Sequence, residues 1–404
     1  MSTSLLYHAF GLQGYDYIRQ SYVAGSLIFS VRPKPKMVIC SCCGSRDVLR
    51  RGQSERWLRT VPIGFKPVWL AIEVPRVECR ACGCVRRIDI KIAEPRRWYT
   101  RAFERFALAL SKVMTMLDVS NLLGIGWDGV KDILKRHLQV RFGRPRLSRL
   151  KYIAIDEISV RKGHKYLSLV MDLQSGAVVF VGDGKGADAL IPFWARLKRS
   201  RIKIRAVATD MSTAYIGSVL ENLPGVPLVF DHFHVVKLMN DKLTEVRRKL
   251  YQELSCTLAR NVLKGSRWIL LKNPENLNKE RGEDGRLEEA LRMNEPLAKS
   301  YYLKEDLRQI WNQADKMAAE GFLQGWIERA MESGIGPLMQ MGKTMAAYRS
   351  GILAWYDHPI SSGPMEGTNN KIKTLKRQAY GYRDLEFFKL RIMGIHEAKY
   401  ALAG

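Results

Sequence analysis

Six of the seven cysteines in this chain fall between Cys40 and Cys84. They form two Cys-x-x-Cys-Gly turns, Cys40-Ser-Cys-Cys43-Gly44 and Cys79-Arg-Ala-Cys82-Gly83. In such a turn two thiolates can face one ion, and glycine allows the tight backbone reversal. The intervening RWLRTVPIGFKPVWLAIEVPRVEC alternates apolar and polar residues around Pro and Gly, which predicts short strands. Two knuckles on a β-hairpin make a zinc ribbon over residues 38–90, with Cys40, Cys43, Cys79 and Cys82 as ligands of a structural Zn²⁺. Four thiolates leave no open coordination position, so the site is structural rather than catalytic. Cys42 and Cys84 are spares in this register, and a shift of register would bring them in. Buried free thiols are the alternative to a metal. The odd cysteine count argues against a disulfide framework and for a reducing cytoplasm. Cys256 stands apart and receives no role.

Charge narrows the class further. The 404 residues carry 66 Lys and Arg against 40 Asp and Glu, a net charge of +26. Residues 1–150 alone hold 27 basic and 11 acidic side chains, so the excess is concentrated early. Such a density suits a polyanion, because each Lys or Arg meeting a phosphate releases condensed counterions. A merely soluble basic surface is the bland alternative. No uninterrupted apolar stretch approaches the ~18 residues of a membrane span. The opening residues show no signal peptide. The length predicts two to four domains with ample core.

After the ribbon, Phe103, Phe106, Ala107 and Leu110 keep a helical period. Asp118 to Arg136 then reads as a short helix, a turn through Gly124, and a second helix with a basic C-terminal end. That is a helix-turn-helix pattern within 95–145, with Trp127, Lys131, Lys135 and Arg136 offered to DNA. An ordinary helical hairpin would look the same. RFGRPRLSRL, 141–150, reads as a basic linker.

Beyond it the composition changes. Lys151-Tyr-Ile-Ala-Ile-Asp156 is a strand ending in acid, followed by strands over 165–173 and 176–182 in an antiparallel meander. A helix over 187–198, a strand ending at Asp210, a helix near 214–223 and a strand ending at Asp231 complete the series. Three strands, helix, strand, helix, strand is the order of an RNase H-like sheet. Acids at strand ends project into the crevice at the sheet edge. There two carboxylates can hold Mg²⁺ with water and phosphate oxygens. Either acid alone could as well be a turn residue.

Residues 236–350 read as a helical insertion, with Leu, Trp and Met recurring at helical spacing and NPENLNKERGED as a polar loop. The last segment, 351–404, contains Ser361-Ser-Gly-Pro-Met-Glu366-Gly-Thr-Asn-Asn-Lys-Ile-Lys373. A helix beginning near Met365 puts Glu366 in its first turn, with Asn370 and Lys373 on the same face. Lys371, Lys376 and Arg377 add charge for a nucleic-acid backbone. The alternative is a solvated amphipathic helix.

In order, the paired cysteine knuckles, the helix-turn-helix, AIDEIS at Asp156, ATDMSTAY at Asp210, Asp231-His-Phe-His234 and SSGPMEGTNNKIK at Glu366 resemble bacterial insertion-sequence transposases of the DDE type, most closely the ISL-three family. The resemblance spans about residues 38–390 and implies a multidomain α/β protein. Its parts would be an N-terminal segment over 1–37, the ribbon, the helix-turn-helix, and an RNase H-like core split into 150–235 and 351–404 around the insertion. It implies a catalytic triad of Asp156, Asp210 and Glu366 needing Mg²⁺ or Mn²⁺. It implies that the first 150 residues bind terminal inverted repeats of double-stranded DNA. The reaction would be cleavage and strand transfer, carried out by a homodimer or larger assembly in the bacterial cytoplasm, on the nucleoid. Asp231 and His234 match an accessory Asp-x-x-His element, although a buried structural His fits equally. Two other functions compete: a DNA-binding regulator or decayed derivative without catalysis, and an RNase H-like nuclease such as a junction resolvase.

Overall fold

The computed structural model describes residues 5–161 and 165–397; positions 1–4, 162–164 and 398–404 of the expected domains lie outside that range. The chain divides into two compact units, Met1–Gly143 and Arg144–Gly404.

The first unit is built on one sheet. Helix α1 (Leu5–Phe10) leads into β1 (Tyr15–Val23) and β2 (Ser26–Pro33), then β3 (Val48–Ile63), β4 (Lys66–Cys79) and β5 (Val85–Arg87). The strand order is β1-β2-β4-β3, with β5 also on β4, and β2 runs parallel to β4. The residues before the first knuckle therefore share a sheet with the ribbon. The expected short strands are instead two long ones of 16 and 14 residues, paired antiparallel and turning after Ile63. Bulges between Arg50 and Gln53 and between Thr60 and Ile63 absorb the irregular pattern that suggested breaks. Leu58, Val68, Leu70 and Ile72 fill one face with Leu6 and Phe10 of α1.

The same unit ends in α2 (Arg101–Leu110), α3 (Met116–Leu123) and α4 (Trp127–Phe142). Thr115 and Asp118 form a capping box at the start of α3, and Gly124 closes it in the left-handed region at φ 59°. Phe103, Val119, Leu123, Val130 and Ile133 make the core of the three helices. This trio is fastened to the sheet by Arg59, which is 4% exposed and donates to the Leu123 carbonyl at 3.0 Å.

The second unit carries a mixed sheet in the order β10-β9-β6-β7-β8. Its strands are β6 (Tyr152–Arg161), β7 (Lys165–Asp172), β8 (Val178–Asp183), β9 (Ala206–Thr209) and β10 (Leu228–Phe230). β6, β7 and β8 form the antiparallel meander, whereas β9 and β10 run parallel to β6. Helices α5 (Ile191–Ser200) and α6 (Thr213–Asn222) make the crossovers. Then α7 (His232–Glu253) opens the helical insertion. It continues as α8 (Thr257–Gly265), α9 (Arg267–Leu271), α10 (Glu283–Arg292), α11 (Glu295–Arg308), α12 (Lys316–Glu332), α13 (Gly336–Ala347) and α14 (Arg349–Leu353). Fully buried Trp326 of α12 centres one core and donates its indole N–H to the Leu303 carbonyl at 2.8 Å. The chain returns to the sheet as α15 (Gly363–Gln378) and α16 (Leu385–Met393), whose Met365, Ile372 and Phe388 pack with Leu169 and Ala208. Among the described residues no helix is long and apolar enough to cross a membrane.

Candidate functional site

The cysteine cluster is local in origin. The first knuckle immediately precedes β3 and the second begins at the last residue of β4. Pairing of Val48 with Cys79 draws the two together. Gly44 and Gly83, at φ 77° and 67°, donate N–H to the carbonyls of Cys40 and Cys79 and close each turn. Cys40 Sγ lies 3.7 Å from Cys82 Sγ, and Cys43 Sγ 3.5 Å from Cys79 Sγ. All four sulfurs lie within 4.8 Å of one another. The backbone N–H groups of Cys43 and then Cys42 pull the Cys40 thiol down to about 6, which favours the thiolate a metal needs. Four soft donors at this spacing fit a structural Zn²⁺. Cys42 and Cys84, expected as spares, are joined in a disulfide with their Cα atoms 6.8 Å apart. The sequence reading argued against a disulfide framework, and this single bond arises because apposing the knuckles also apposes these two sulfurs.

In the helix-turn-helix, Trp127 opens α4 and is 42% exposed. The Lys131 ammonium lies 5.5 Å from the centre of its ring. Lys135 is half-buried one turn on. Arg136 is placed otherwise than the spacing suggested. Its guanidinium is bound to the Glu104 carboxylate and donates to the Tyr99 hydroxyl at 3.0 Å, tying α4 to α2. That partnership holds it against its own domain.

The carboxylates come together through sheet register. Ile155 of β6 pairs with Thr209 of β9, and Thr209 with Phe230 of β10. Asp156, Asp210 and Asp231 each follow that row, so three acids stand side by side along one edge. β6 does not end in acid as expected, for it runs on to Arg161 alongside β7. What stops at Thr209 is its parallel neighbour, and that termination opens the crevice.

Asp156 is the half-buried acid of this edge that meets the Glu-bearing helix. Burial pushes its carboxyl up to about 6, against the lowering influence of the Glu157 N–H, of His234 and of Asn369, while the Asp210 charge adds to the rise. The Glu157 N–H reaches Oδ1 at 2.8 Å, and the Asn369 amide reaches Oδ2 at 2.7 Å. Asp210 Oδ1 accepts from the Ser212 N–H at 3.1 Å. Asp231 is 2% exposed and already committed. It accepts from the Phe233 N–H at 3.1 Å, capping α7, and from the Ser362 hydroxyl at 2.6 Å, anchoring the start of α15.

Glu366 lies in the first turn of α15, exposed. Among the described residues, the four cysteines alone form a set of three or more potential ligands within 4.8 Å of one another. The structure therefore brings Asp156 and Asp210 to one edge, while Glu366 is exposed in the first turn of α15 and does not close with them into a three-carboxylate cluster. Asn369, three residues on, is the α15 side chain that touches Asp156. The sequence reading favoured Asn370, which is exposed. Spacing three is as good as spacing four on a helix face, and only packing separates the two. Asn369 Oδ1, His234 Nδ1 and Thr209 Oγ1 are buried polar atoms without a hydrogen-bond partner. Asp156 and Asp210, two carboxylates set side by side by the strand register, are oxygen donors of the kind that fit a hard divalent cation. Lys371 Nζ lies 3.4 Å from His396 Nδ1, Lys376 is half-buried, and Lys373 and Arg377 are exposed.

Comparison with known proteins gives the same order of parts. Residues 36–82 match the zinc-finger of transposase IS204/IS1001/IS1096/IS1165. Residues 88–138 match the helix-turn-helix domain of transposase family ISL3, and 153–392 a model described as transposase. The transposase for insertion sequence element IS1001 of Bordetella parapertussis is 33% identical over 394 residues, 95% of either chain. The transposase for insertion sequence element IS1557 of Mycobacterium tuberculosis is 29% identical, covering 88% of this chain and 85% of that one. A solved structure, the Drosophila P element transposase strand transfer complex, overlays with a TM-score of 0.37 at 13% identity, covering 78% of this chain and 94% of that one. The three family models in turn cover the ribbon, the helix-turn-helix and the carboxylate-edged sheet, and together with the 33% identical relative they show that the chain belongs to the ISL3 family of DDE transposases.

Proposed function

We propose that this protein binds the terminal inverted repeats of an insertion sequence and catalyses cleavage and strand transfer at Asp156, Asp210 and Glu366. The observation that carries this is the register of Ile155 with Thr209, which aligns Asp156 and Asp210 at the end of the parallel pair, with Asn369 of the Glu-bearing helix bonded to Asp156. A divalent cation, Mg²⁺ or Mn²⁺, supplies charge neutralisation and an activated oxygen nucleophile when bound there. Asp156 and Asp210 provide its fixed ligands. Asn369 holds the Asp156 carboxylate in one orientation, as outer partners of metal ligands do. Glu366 is assigned as the third acid, supplied from the first turn of α15. His234, whose positive form would favour ionised Asp156, is accessory.

Recognition is assigned to the ribbon and to Trp127, Lys131 and Lys135 of α4, with Asn370, Lys371, Lys373, Lys376 and Arg377 of α15 following the phosphate backbone near the reacting bond. Joining two element ends calls for a homodimer or larger assembly, working on the bacterial nucleoid. The test is incubation of purified protein with labelled element ends, target DNA and Mg²⁺. Nicked and joined products are expected from the wild type and none from Asp210→Ala. Joined product from the Ala variant would remove the assignment.

A further inference from the structure

The segment 141–150 looked like a linker, yet from Arg144 onward it is fixed to the second unit. Pro145, Leu147 and Leu150 are buried, while Arg144, Arg146 and Arg149 face solvent. With α5 it forms an open groove of about 390 Å³, whose charged walls are Arg144, Arg146 and Arg196, with Ser148 on the rim and Leu147 and Ile202 beneath. No acidic side chain lines it. The surroundings are equally one-sided: residues 144–151 and 195–205 hold ten Lys and Arg and no Asp or Glu.

The location gives this groove a distinct task. Both basic segments run directly into the starts of β6 and β9, where Arg205 N–H donates to the Lys151 carbonyl at 2.7 Å and Tyr152 pairs with Ala206. Asp156, in the middle of β6, and Asp210, just past the end of β9, stand four residues further along the same two strands. Four residues of strand span about 13 Å. The central strands thus carry an anionic edge for chemistry and a cationic edge turned the opposite way. Phosphates held at the cationic edge cannot be the ones cleaved at the anionic edge.

We propose that the Arg144–Arg146–Arg196 groove is a second DNA-binding site, which grips the phosphate backbone of duplex DNA away from the bond being cut. Guanidinium groups suit phosphate oxygens through paired N–H donors. The contact is with backbone alone, so it adds affinity for any duplex and carries no sequence preference. This rests on the DNA reading above.

The test uses the full-length, zinc-loaded chain with Arg144, Arg146 and Arg196 all changed to Ala. Affinity for a long element-end duplex and for an unrelated duplex is measured across a salt series. Each lost phosphate contact reduces the slope of log K against log salt by about 0.9, so the triple variant should be shallower by about 2 to 3. Affinity near 0.15 M salt should fall at least about tenfold on both duplexes. The Arg→Lys triple variant, which keeps the charge, should recover most of the slope. An unchanged slope in the Ala variant, while the wild type binds and cleaves, overturns the groove and leaves the transposase reading intact. A wild type that binds no duplex overturns both. Inorganic triphosphate is the second probe: if it competes with DNA only in chains that keep the three arginines and does so at micromolar concentration, the groove is a small-anion site and the duplex assignment falls.

Discussion

The cysteine quartet and the carboxylate edge are two donor sets assembled in different ways. The quartet comes from two short motifs at the two ends of one hairpin, and its four sulfurs already stand within 4.8 Å of one another. The carboxylate edge takes Asp156 and Asp210 from neighbouring strands, while Glu366 is exposed in the first turn of α15. The difference follows from task. A structural site gains by being closed, since its ion is needed only to hold the fold. An edge proposed for phosphodiester chemistry has to admit DNA, so it cannot be enclosed as the quartet is. Closure is accordingly carried by sequence-local turns, and openness by long-range register.

The largest effect that would test this contrast is at the open site. Asp156→Ala and Asp210→Ala should each lower cleavage of element ends by at least about a thousandfold, removing most of the charge stabilisation a bound cation provides. Binding of those ends should change less than about threefold, measured by titration in Ca²⁺. Substantial loss of binding would mean the acids hold the fold rather than the chemistry. At the closed site the pattern should invert. Cys43→Ser, or removal of zinc by a chelator, should unfold the ribbon, because binding free energy of about 10 kcal/mol or more is folding free energy in such modules. End binding should then be lost while the sheet of the second unit keeps its amide-exchange protection. A ribbon that melts at an unchanged temperature without zinc would break the comparison.

The same contrast explains what could be read from the sequence. The quartet was legible as a metal knuckle pair, since Cys-x-x-Cys-Gly twice specifies turn and metal class together, and the structure selects Cys40, Cys43, Cys79 and Cys82 over the shifted register. Its one surprise, the bond between Cys42 and Cys84, arises from how closely the knuckles meet, which spacing does not encode. The order of strands and helices in the second unit was legible because alternation and helical period differ sharply there. Asp156 and Asp210 were found as acids near strand ends, although β6 passes its acid and only β9 stops. Asn369 was missed because i+3 and i+4 are equivalent on an isolated helix. The bond from Arg136 to Glu104 could not be foreseen for a related reason: a basic residue on a recognition-type helix looks the same in sequence whether or not an acid on another helix lies within its reach. Both contacts join partners remote in the chain, and those are decided by packing alone.

An intermediate effect is expected at Asn369. Asn369→Ala removes the 2.7 Å donor to Asp156 Oδ2. Loss of such an orienting partner should weaken metal-dependent cleavage by about 10- to 100-fold. Half-saturation by Mn²⁺ should rise in parallel, and Asn369→Gln should not restore it, because the longer chain cannot repeat the geometry. Equal loss at saturating and limiting Mn²⁺ would place Asn369 in the chemistry rather than in orientation.

The smallest effect has the opposite sign. Asp156 has its folded carboxyl raised from 3.8 to about 6, chiefly by burial. The folded state therefore holds a proton that the unfolded state has already released. Metal-free protein should lose stability as pH rises through that window and stay weakened above it. Two units correspond to about 3 kcal/mol at most. Asp156→Asn removes the buried charge but turns one acceptor into a donor facing either the Glu157 N–H or the Asn369 amide, at a cost of about 1 kcal/mol. The net expectation is a gain of about 1–2 kcal/mol at pH 7–8 that vanishes below pH 4, read from urea unfolding of the metal-free chain. A closed site has no such reserve, since its cysteines lose stability whenever one is replaced. If Asp156→Asn were instead destabilising at pH 8, the carboxylate would be part of what holds the second unit together, and the distinction between a strained open edge and a self-supporting closed cluster would fail.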